Sequence, residues 1–351
     1  MHMADALISP AIGGTMWVAS ISLLAYSSKK TSESNDDSRI PIMGVMGAFV
    51  FAAQMINFSI PMTGSSGHLG GGLLLAILLG PYSAFITIAS VLVVQCLFFC
   101  DGGLLALGCN IFNLGFFPCF IAYPFIYKPI VGANLSNSRL IIASVFASVA
   151  GLLMGAISVV VETSLSGIIE LPIGKFLLLM LPIHLAIGLV EGFVTASITI
   201  ILWNTKKEIV QNEIAVKKSF FKPVLVGLLI SALLTGGILS WFASTNPDGL
   251  EWAIEKSSSG LENAGTQIHH FLAKLQEKTA FLPDYSFKEF SSEKSVEISQ
   301  TESWPSPSAG TSLSGMIGGL ITLMLVIIFA FLAKSVKKCF FQDGNISIKT
   351  N

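Results

Sequence analysis

Long apolar runs separated by short polar stretches follow one another along most of the 351-residue chain. A helix needs about 20 apolar residues to cross a bilayer. Runs of roughly that length predict spans near residues 10–27, 40–60, 81–99, 105–127, 139–162, 175–203, 222–243 and 313–333. A ninth run, 69–79, is too short for an ordinary crossing and predicts a short or broken span packed inside the protein. The pattern therefore predicts an all-α integral membrane protein of about nine spans.

The composition agrees with a membrane location and limits the kinds of site that the chain can contain. Hydrophobic residues make up 52% of the chain and charged residues 12%, which is too apolar for a soluble globular protein. The five cysteines fit no zinc-site spacing, and we interpret them as small packing residues. No G-x-x-x-x-G-K-[ST] phosphate-binding loop occurs. Any ATP-driven process would therefore need an ATPase from another chain.

Basic residues are distributed unevenly between the loops. Lys and Arg occur in loops 28–39, 128–139 and 204–222 and in the tail from 334, whereas loops 1–9, 59–70 and 100–104 contain none. Because cytoplasmic loops carry an excess of Lys and Arg, we predict an external N-terminus and a cytoplasmic C-terminus. The first ten residues have Asp5 as their only charge, so they do not predict a secretory signal peptide.

The last third of the chain differs in character from the rest. A basic linker, 206–222, separates a predicted seven-span body, 1–205, from a two-span accessory module, 223–340, and a tail, 341–351. The external segment of the module, 244–312, carries ten acidic and five basic residues. Its Ser-rich end has a composition that cannot bury a core, so we predict that the segment is partly disordered.

Two histidines suggest a metal site on the external side. The amine of Met1, the amide nitrogen of His2 and the His2 imidazole can close adjacent five- and six-membered chelate rings around one ion. A plane of nitrogens suits Ni(II) or Cu(II), and Co(II) also accepts nitrogen ligands. His68 lies among glycines and hydroxyls in NFSIPMTGSSGHLGGG, residues 57–72, and can supply a fourth nitrogen. The alternative is that His2 is an incidental residue of an exposed terminus.

Polar residues at the ends of two spans are candidates for supporting this site. Asp101 lies at the predicted external mouth, where a carboxylate can attract a divalent cation or orient an imidazole. Gln95 and Asn110 flank it, and we expect them to bond neighbouring backbone.

Further along the chain, His184 and Glu191 lie seven residues apart in one span and therefore share a helical face. Ionisable groups within a span are functional candidates, although a buried pair that locks two helices together explains them equally well. We expect His269 and His270, in the acidic external segment, to be exposed on the surface.

Two other functions use some of the same residues. Gly64-Ser65-Ser66-Gly67 resembles the G-x-S-G around the nucleophile of rhomboid-type intramembrane serine proteases, with His184 as the base. Alternatively, His184 and Glu191 can relay protons in a metal carrier that works without partners.

Several long motifs resemble one transporter family. The start MH, the stretch from NFSIPMTGSSGHLGGG to QCLFFCDGGLLALGCNIFN, and the helix HLAIGLVEGFVTA resemble the CbiM/NikM family over roughly residues 1–205. This family is the substrate-binding component of cobalt/nickel energy-coupling factor transporters. The stretch NPDGLE, 246–251, resembles the signature of the NikN/CbiN-like PDGLE module, which is fused to the first component in some members. Residues 3–6, MADA, depart from the commoner I-P-D-G, which leaves the choice of metal open.

The resemblance implies a function and a ligand set. It implies uptake of Ni(II) or Co(II) across a prokaryotic plasma membrane, with the ion held in a square plane by Met1, His2 and His68. It also implies assembly with a transmembrane coupling protein and two ABC ATPase subunits, whose ATP cycle releases the metal inward. The chain itself is then not an enzyme and needs no cofactor.

Overall fold

The computed structural model of the protein describes residues 2–33, 39–133, 135–169, 171–205, 221–257, 266–287 and 304–341. Helices dominate these residues. They are α1 (Pro10–Glu33), α2 (Arg39–Gln54), α3 (Gly72–Leu79), α4 (Pro81–Phe99), α5 (Leu107–Val131), α6 (Asn137–Ser166), α7 (Ile173–Thr205), α8 (Phe221–Gly237), α9 (Gly249–Ser257), α10 (Gln267–Thr279) and α11 (Ala309–Phe341). The prediction of an all-α membrane protein is confirmed.

Each predicted span falls on a helix, but the helices differ in length. Among the described residues, five helical stretches are long and apolar enough to cross a membrane: Pro81–Phe99, Leu107–Val131, Asn137–Ser166, Ile173–Thr205 and Ala309–Phe329. Two apolar helical stretches are shorter, Ile40–Gln54 and Pro223–Gly237. The fold is therefore that of a multi-pass protein, while the total of nine spans stays a prediction.

The predicted span 40–60 ends early. Helix α2 stops at Gln54, and the chain then forms a two-stranded antiparallel hairpin, β1 (Phe58–Ile60) and β2 (Ser65–Gly67), with Ser59 opposite Ser66. Pro61 and Gly64 lie in the turn between the strands, where such residues are favoured. The hairpin leads directly into the loop that carries His68.

Helix α3 is the short element predicted from run 69–79. All eight of its residues, Gly72–Leu79, are buried, and it ends at Gly80, where Pro81 starts α4. A lipid-exposed half-helix would leave its terminal backbone groups without partners, so burial inside the protein is the expected solution. The prediction of a short span packed inside the protein is confirmed.

Helices α6 and α7 of the body pack closely against each other. A Cβ added to Gly192 of α7 would lie 2.5 Å from the Cα atom of Val145 in α6, so the two backbones nearly touch. Small residues at such a seam let membrane helices approach closely. This contact fixes α7, which carries His184 and Glu191, against the body.

The accessory module packs on the body through α2. Helices α8 and α11 both contact α2, and Gly318 of α11 lies against the ring of Phe51. The external segment forms α9 and α10, with Leu250 and Ala253 of α9 buried. Much of its Ser-rich end, the linker 206–220 and the tail from 342 lie outside the described residues.

Candidate metal site

The N-terminal segment lies inside the protein. Met3 and Ile8 are fully buried. The amide of Met3 donates to the Asn110 Oδ1 at 2.8 Å, and the Asn110 Nδ2 donates to the Met3 carbonyl at 3.2 Å. A buried backbone group needs such partners because water cannot reach it. Asn110 therefore holds the residue next to His2 in a fixed place.

A second contact fixes the same segment. The Asp5 carboxylate accepts a hydrogen bond of 3.0 Å from the Ala106 amide. Gly103 lies so close to Asp5 that an added Cβ would collide with the Asp5 side chain and amide. The turn at Gly102 and Gly103, directly after Asp101, is thus the surface onto which the segment docks.

His2 and His68 meet at the end of this segment. Their rings are stacked, with 4.9 Å between centroids and 8° between planes. The His2 side chain is only 7% exposed, its Nδ1 lies 3.0 Å from the Asp101 Oδ1, and its Nε2 is buried without a partner among the described residues. Three of the predicted site residues are therefore adjacent, although they come from three separate parts of the chain.

His68 is in the form that binds metal. Its Nδ1 lies 3.1 Å from the Leu69 carbonyl, which can only accept a hydrogen bond, so Nδ1 carries the proton and the lone pair is on Nε2. Burial lowers the pKa of the His68 imidazole to about 4. The ring is consequently neutral near pH 7, as a metal ligand must be.

Asp101 joins the two units of the protein at this point. Its Oδ2 accepts a hydrogen bond of 2.6 Å from the Tyr285 hydroxyl of the accessory module. Burial alone would raise the pKa of Asp101, but the His2 imidazole and the hydrogen bonds from His2 and Tyr285 hold it well below its ordinary value. An ionised carboxylate next to His2 favours both a cation and a fixed imidazole orientation.

A hydrogen-bond network that includes Glu191, Gln54 and Gln95 positions the loop that carries His68. Both carboxylate oxygens of Glu191 accept backbone N–H groups, from Gly70 at 2.7 Å and from Gly71 at 3.2 Å. The Gln54 side chain donates to the Gly70 carbonyl at 2.8 Å, and Gln95 donates to Gln54 at 2.9 Å. Glu191 thus contacts the loop directly, and Gln95 acts on it through Gln54.

The site opens into a surface cleft of about 560 Å³. His2 and His68 are part of its wall. The carboxylates along it are Asp5 and Asp101 from the body and Asp248, Glu251 and Asp284 from the module. The lining includes no Lys or Arg among the described residues. A cleft with charges of one sign concentrates counter-ions, here cations.

Met1 lies outside the described residues, so its role as a metal ligand stays a prediction. Within the described part of the chain, no three His, Cys, Asp or Glu side chains converge closely enough to hold one ion. A four-ligand site here therefore needs ligands other than the His, Cys, Asp and Glu side chains of the described residues.

A family model described as "Cobalt uptake substrate-specific transmembrane region", CbiM, matches residues 2–209, and a PDGLE domain matches residues 222–335. The first match covers more than half of the chain. The chain belongs to the CbiM family. The two matches meet near the predicted basic linker.

Similar proteins include transporters named for both metals. A protein of Archaeoglobus fulgidus, "Putative fused nickel transport protein NikMN", is 30% identical over 93% of this chain and 96% of its own. The "Cobalt transport protein CbiM" of Geobacter sulfurreducens is 27% identical over 60% of this chain and 61% of its own. A crystal structure of "an transition metal transporter" is 27% identical, with a TM-score of 0.53, over 64% of this chain and 99% of that one.

The accessory module of this CbiM-family protein covers the site. Ser66 in β2 donates two hydrogen bonds to the PDGLE signature, both 2.8 Å long. Its amide donates to the Pro247 carbonyl, and its hydroxyl donates to the Asn246 carbonyl. Gln276 donates to the Gly102 carbonyl at 2.7 Å. The module thus contacts the hairpin, which lies next to His68, and the Asp101 turn, which lines the cleft.

His269 is buried, and the prediction that it is exposed is wrong. Its Nδ1 accepts from the Thr266 amide at 3.1 Å, so its Nε2 carries a proton, and this nitrogen donates to the Ile8 carbonyl at 2.9 Å. The acidic segment folds back onto the N-terminus, which composition does not reveal. His270 is exposed, as predicted.

The proposed protease dyad does not form. The hydroxyl of Ser66 donates to the Asn246 carbonyl, and the His184 Nδ1 lies 2.8 Å from the Met180 carbonyl. Neither bond joins Ser66 to His184. The G-x-S-G pattern is instead part of a strand that the accessory module covers.

Sequence reasoning missed Glu162. Glu162 of α6 is 5% exposed, and it accepts 2.8 Å and 3.2 Å hydrogen bonds from Asn113 and Ser158. Asn113 also points its Nδ2 at the sulfur of Met3, at 3.8 Å. An acidic residue at the end of a predicted span was the available signal.

Proposed function

We propose that this CbiM-family protein is the substrate-binding membrane component of an ATP-driven uptake transporter for Ni(II) or Co(II). The observation that carries the proposal is the buried, stacked pair of His2 and His68 at the end of an N-terminal segment fixed inside the protein. An exposed, incidental histidine would not be buried in this way.

The ligand set we propose is the Met1 amine, the His2 amide nitrogen, the His2 imidazole and the His68 imidazole. The six-membered chelate ring uses the Nδ1 of His2, which faces Asp101 in this structure. Metal binding then exchanges the hydrogen bond between His2 and Asp101 for a metal–nitrogen bond and requires a change in the ring orientation. Asp101 stays nearby as a negative charge that offsets the charge of the ion.

The remaining parts of the proposal concern partners and direction. The chain contains no phosphate-binding loop, so we assign ATP hydrolysis to two ABC ATPase subunits and force transmission to a transmembrane coupling protein. The distribution of Lys and Arg favours an external N-terminus and a cytoplasmic C-terminus in a plasma membrane. The metal is cargo, and we propose no resident cofactor. Nickel and cobalt both suit nitrogen ligands, and relatives are named for each.

Equilibrium binding of Ni(II) and Co(II) to the purified full chain tests the ligand set. We expect His2→Ala and His68→Ala each to weaken binding by about 100-fold or more, because each removes an imidazole nitrogen of a four-nitrogen plane. His270→Ala, an exposed histidine, is the matched control. Intact mass of the protein verifies that Met1 is retained. Tight binding by His2→Ala would exclude the N-terminal chelate.

Reconstitution tests the dependence on partners. We expect liposomes that contain the full chain alone to accumulate no metal, and accumulation to require the coupling protein, the ATPases and ATP. Uptake by the chain alone, driven by a proton gradient and lost in Glu191→Gln, would favour the partner-independent carrier instead.

A further inference from the structure

We propose that His184 is a further metal ligand, which receives Ni(II) or Co(II) when the ion leaves His2 and His68 on its way inward. The inference rests on the proposed function, because it concerns the same cargo. His184 is not part of the proposed four-nitrogen ligand set, and it makes none of the hydrogen bonds described for Asp101 and Glu191.

The protonation of His184 leaves a lone pair available for metal. The Met180 carbonyl, 2.8 Å from the Nδ1, can only accept a hydrogen bond, so Nδ1 carries the proton and Nε2 carries the lone pair. His184 is 1% exposed, and its Nε2 has no hydrogen-bond partner among the described residues. A buried polar atom without a partner is costly, so its persistence calls for an explanation. Transient binding of a cation supplies one.

A small cavity connects His184 to the site already described. It measures about 10 Å³, which is enough for one particle of the size of a water molecule. Its wall includes His68, His184 and Asp248, and the rest is mainly apolar: Gly70, Leu114, Leu152 and Ile187. An ion that leaves His68 and enters this cavity therefore reaches the imidazole of His184 and stays near the carboxylate of Asp248.

The arrangement suits transfer better than storage. The side chains of His68, His184 and Asp248 are not close enough together to form a three-ligand cage. Conduction requires sites that bind an ion well enough to accept it and weakly enough to release it. A single imidazole in a small cavity, next to the tight four-nitrogen plane, meets both conditions. The apolar wall around the cavity also limits water, which makes the imidazole the principal partner of a passing ion.

A purely structural role for His184 is separable by mutation. The hydrogen bond to Met180 uses only the Nδ1. In His184→Asn the side-chain amide can still donate to the Met180 carbonyl, because its nitrogen occupies a place similar to Nδ1, but the Nε2 ligand is gone. In His184→Ala both are lost. Thr199→Ala is the matched control, since Thr199 is equally buried in α7 and bonds only the Thr195 carbonyl of its own helix.

The first experiment measures weak binding after the tight site is removed. Purified full-length His2→Ala protein is titrated with Co(II), and the visible absorption of the bound ion is recorded. We expect a weak site that is retained in His2→Ala/Thr199→Ala and is weakened about tenfold or more in His2→Ala/His184→Asn, because the Nε2 is its main ligand. Equal titrations for all three proteins would overturn the proposal, and so would the absence of any weak site in His2→Ala.

The second experiment separates transfer from binding. Cells that express the chain with the subunits it needs take up Ni(II), and the same chains are purified for equilibrium binding. We expect His184→Asn to lower uptake about tenfold while the equilibrium Kd of the tight site changes less than about threefold. Unchanged uptake would overturn the transfer role. Loss of tight binding in His184→Asn would overturn it as well, by placing His184 in the storage site. Failure of the unmodified chain to bind metal would count against the proposed function itself.

Discussion

The body and the accessory module contribute different chemistry to one cleft. The imidazoles of His2 and His68 come from the body, and three of the five carboxylates, Asp248, Glu251 and Asp284, come from the module. Imidazole nitrogens bind transition ions directly and need exact placement, whereas carboxylates act on a cation at a distance through their charge. In the proposed site, the imidazole ligands thus lie in the body, and most of the attracting charges lie in the module.

The two parts are also held in different ways. The residues close to His2 and His68 are fixed by buried hydrogen bonds that their backbone amides donate to Asn110 and Glu191 and that water cannot replace. The carboxylates of the module lie along a cleft open to the outside, where salt screens them. Changes in the body should therefore alter metal affinity, and changes in the module should mainly alter the rate of association.

Among the residues that support the site without binding metal, Asn110→Ala is expected to have the largest effect. The variant leaves the buried amide of Met3 without an acceptor, which costs about 1–3 kcal/mol and frees the segment that carries His2. We expect the affinity for Ni(II) to fall about 10- to 100-fold, measured by calorimetry on the purified chain. Thr87→Ala is the control, because Thr87 is also buried but bonds only the Ser83 carbonyl of its own helix. Wild-type affinity in Asn110→Ala would show that the segment is held by other contacts.

Glu191→Ala is expected to have the next largest effect. It removes the acceptor for the amides of Gly70 and Gly71 and loosens the loop that carries His68. We expect about a tenfold loss of affinity, since one or two buried N–H groups lose their partner. Glu191→Gln keeps one acceptor oxygen and should lose less. If the Gln variant binds as weakly as the Ala variant, the carboxylate charge matters more than the hydrogen bonds.

Neutralising the module carboxylates should change kinetics. In Asp248→Asn/Glu251→Gln/Asp284→Asn we expect the association rate of Ni(II) to fall about three- to tenfold at low salt, because the cleft no longer concentrates cations as strongly. The difference from wild type should shrink as salt rises. Stopped-flow mixing measures both. Glu255→Gln, an exposed position of α9 that does not line the cleft, is the control. A difference that is independent of salt would contradict steering by charge.

Tyr285→Phe should have the smallest effect. It removes only the hydroxyl that donates to the Asp101 Oδ2, while Asp101 keeps its contact with His2. We expect a change in Ni(II) affinity of about two- to threefold, within the range of a single modest hydrogen bond. The control is Tyr82→Phe, which should bind Ni(II) as the wild type does. Tyr82 lies near the start of α4, at the end away from Asp101. A change of 100-fold in Tyr285→Phe would mean that the module holds the site in its binding conformation.

Sequence patterns predicted the helices well because burial in lipid imposes a simple rule. Long apolar runs must form helices, and the buried α3 follows from its short length and its position before Gly80 and Pro81. The same patterns identified His2, His68 and Asp101 as candidates, because polar residues are few in such a chain. They failed for His269, whose burial depends on an acidic segment folding back onto Ile8.

The sequence by itself determined the all-α membrane fold, the division into two units and the residue types available for a metal site. Hydrophobicity is a local property, so it can be read along the chain. Only the tertiary structure decided that Asn110 fixes Met3, that Glu191 fixes the loop of His68, and that the PDGLE signature lies on Ser66. These contacts join residues about 110 to 180 positions apart, and their geometry depends on helix packing rather than on any local pattern.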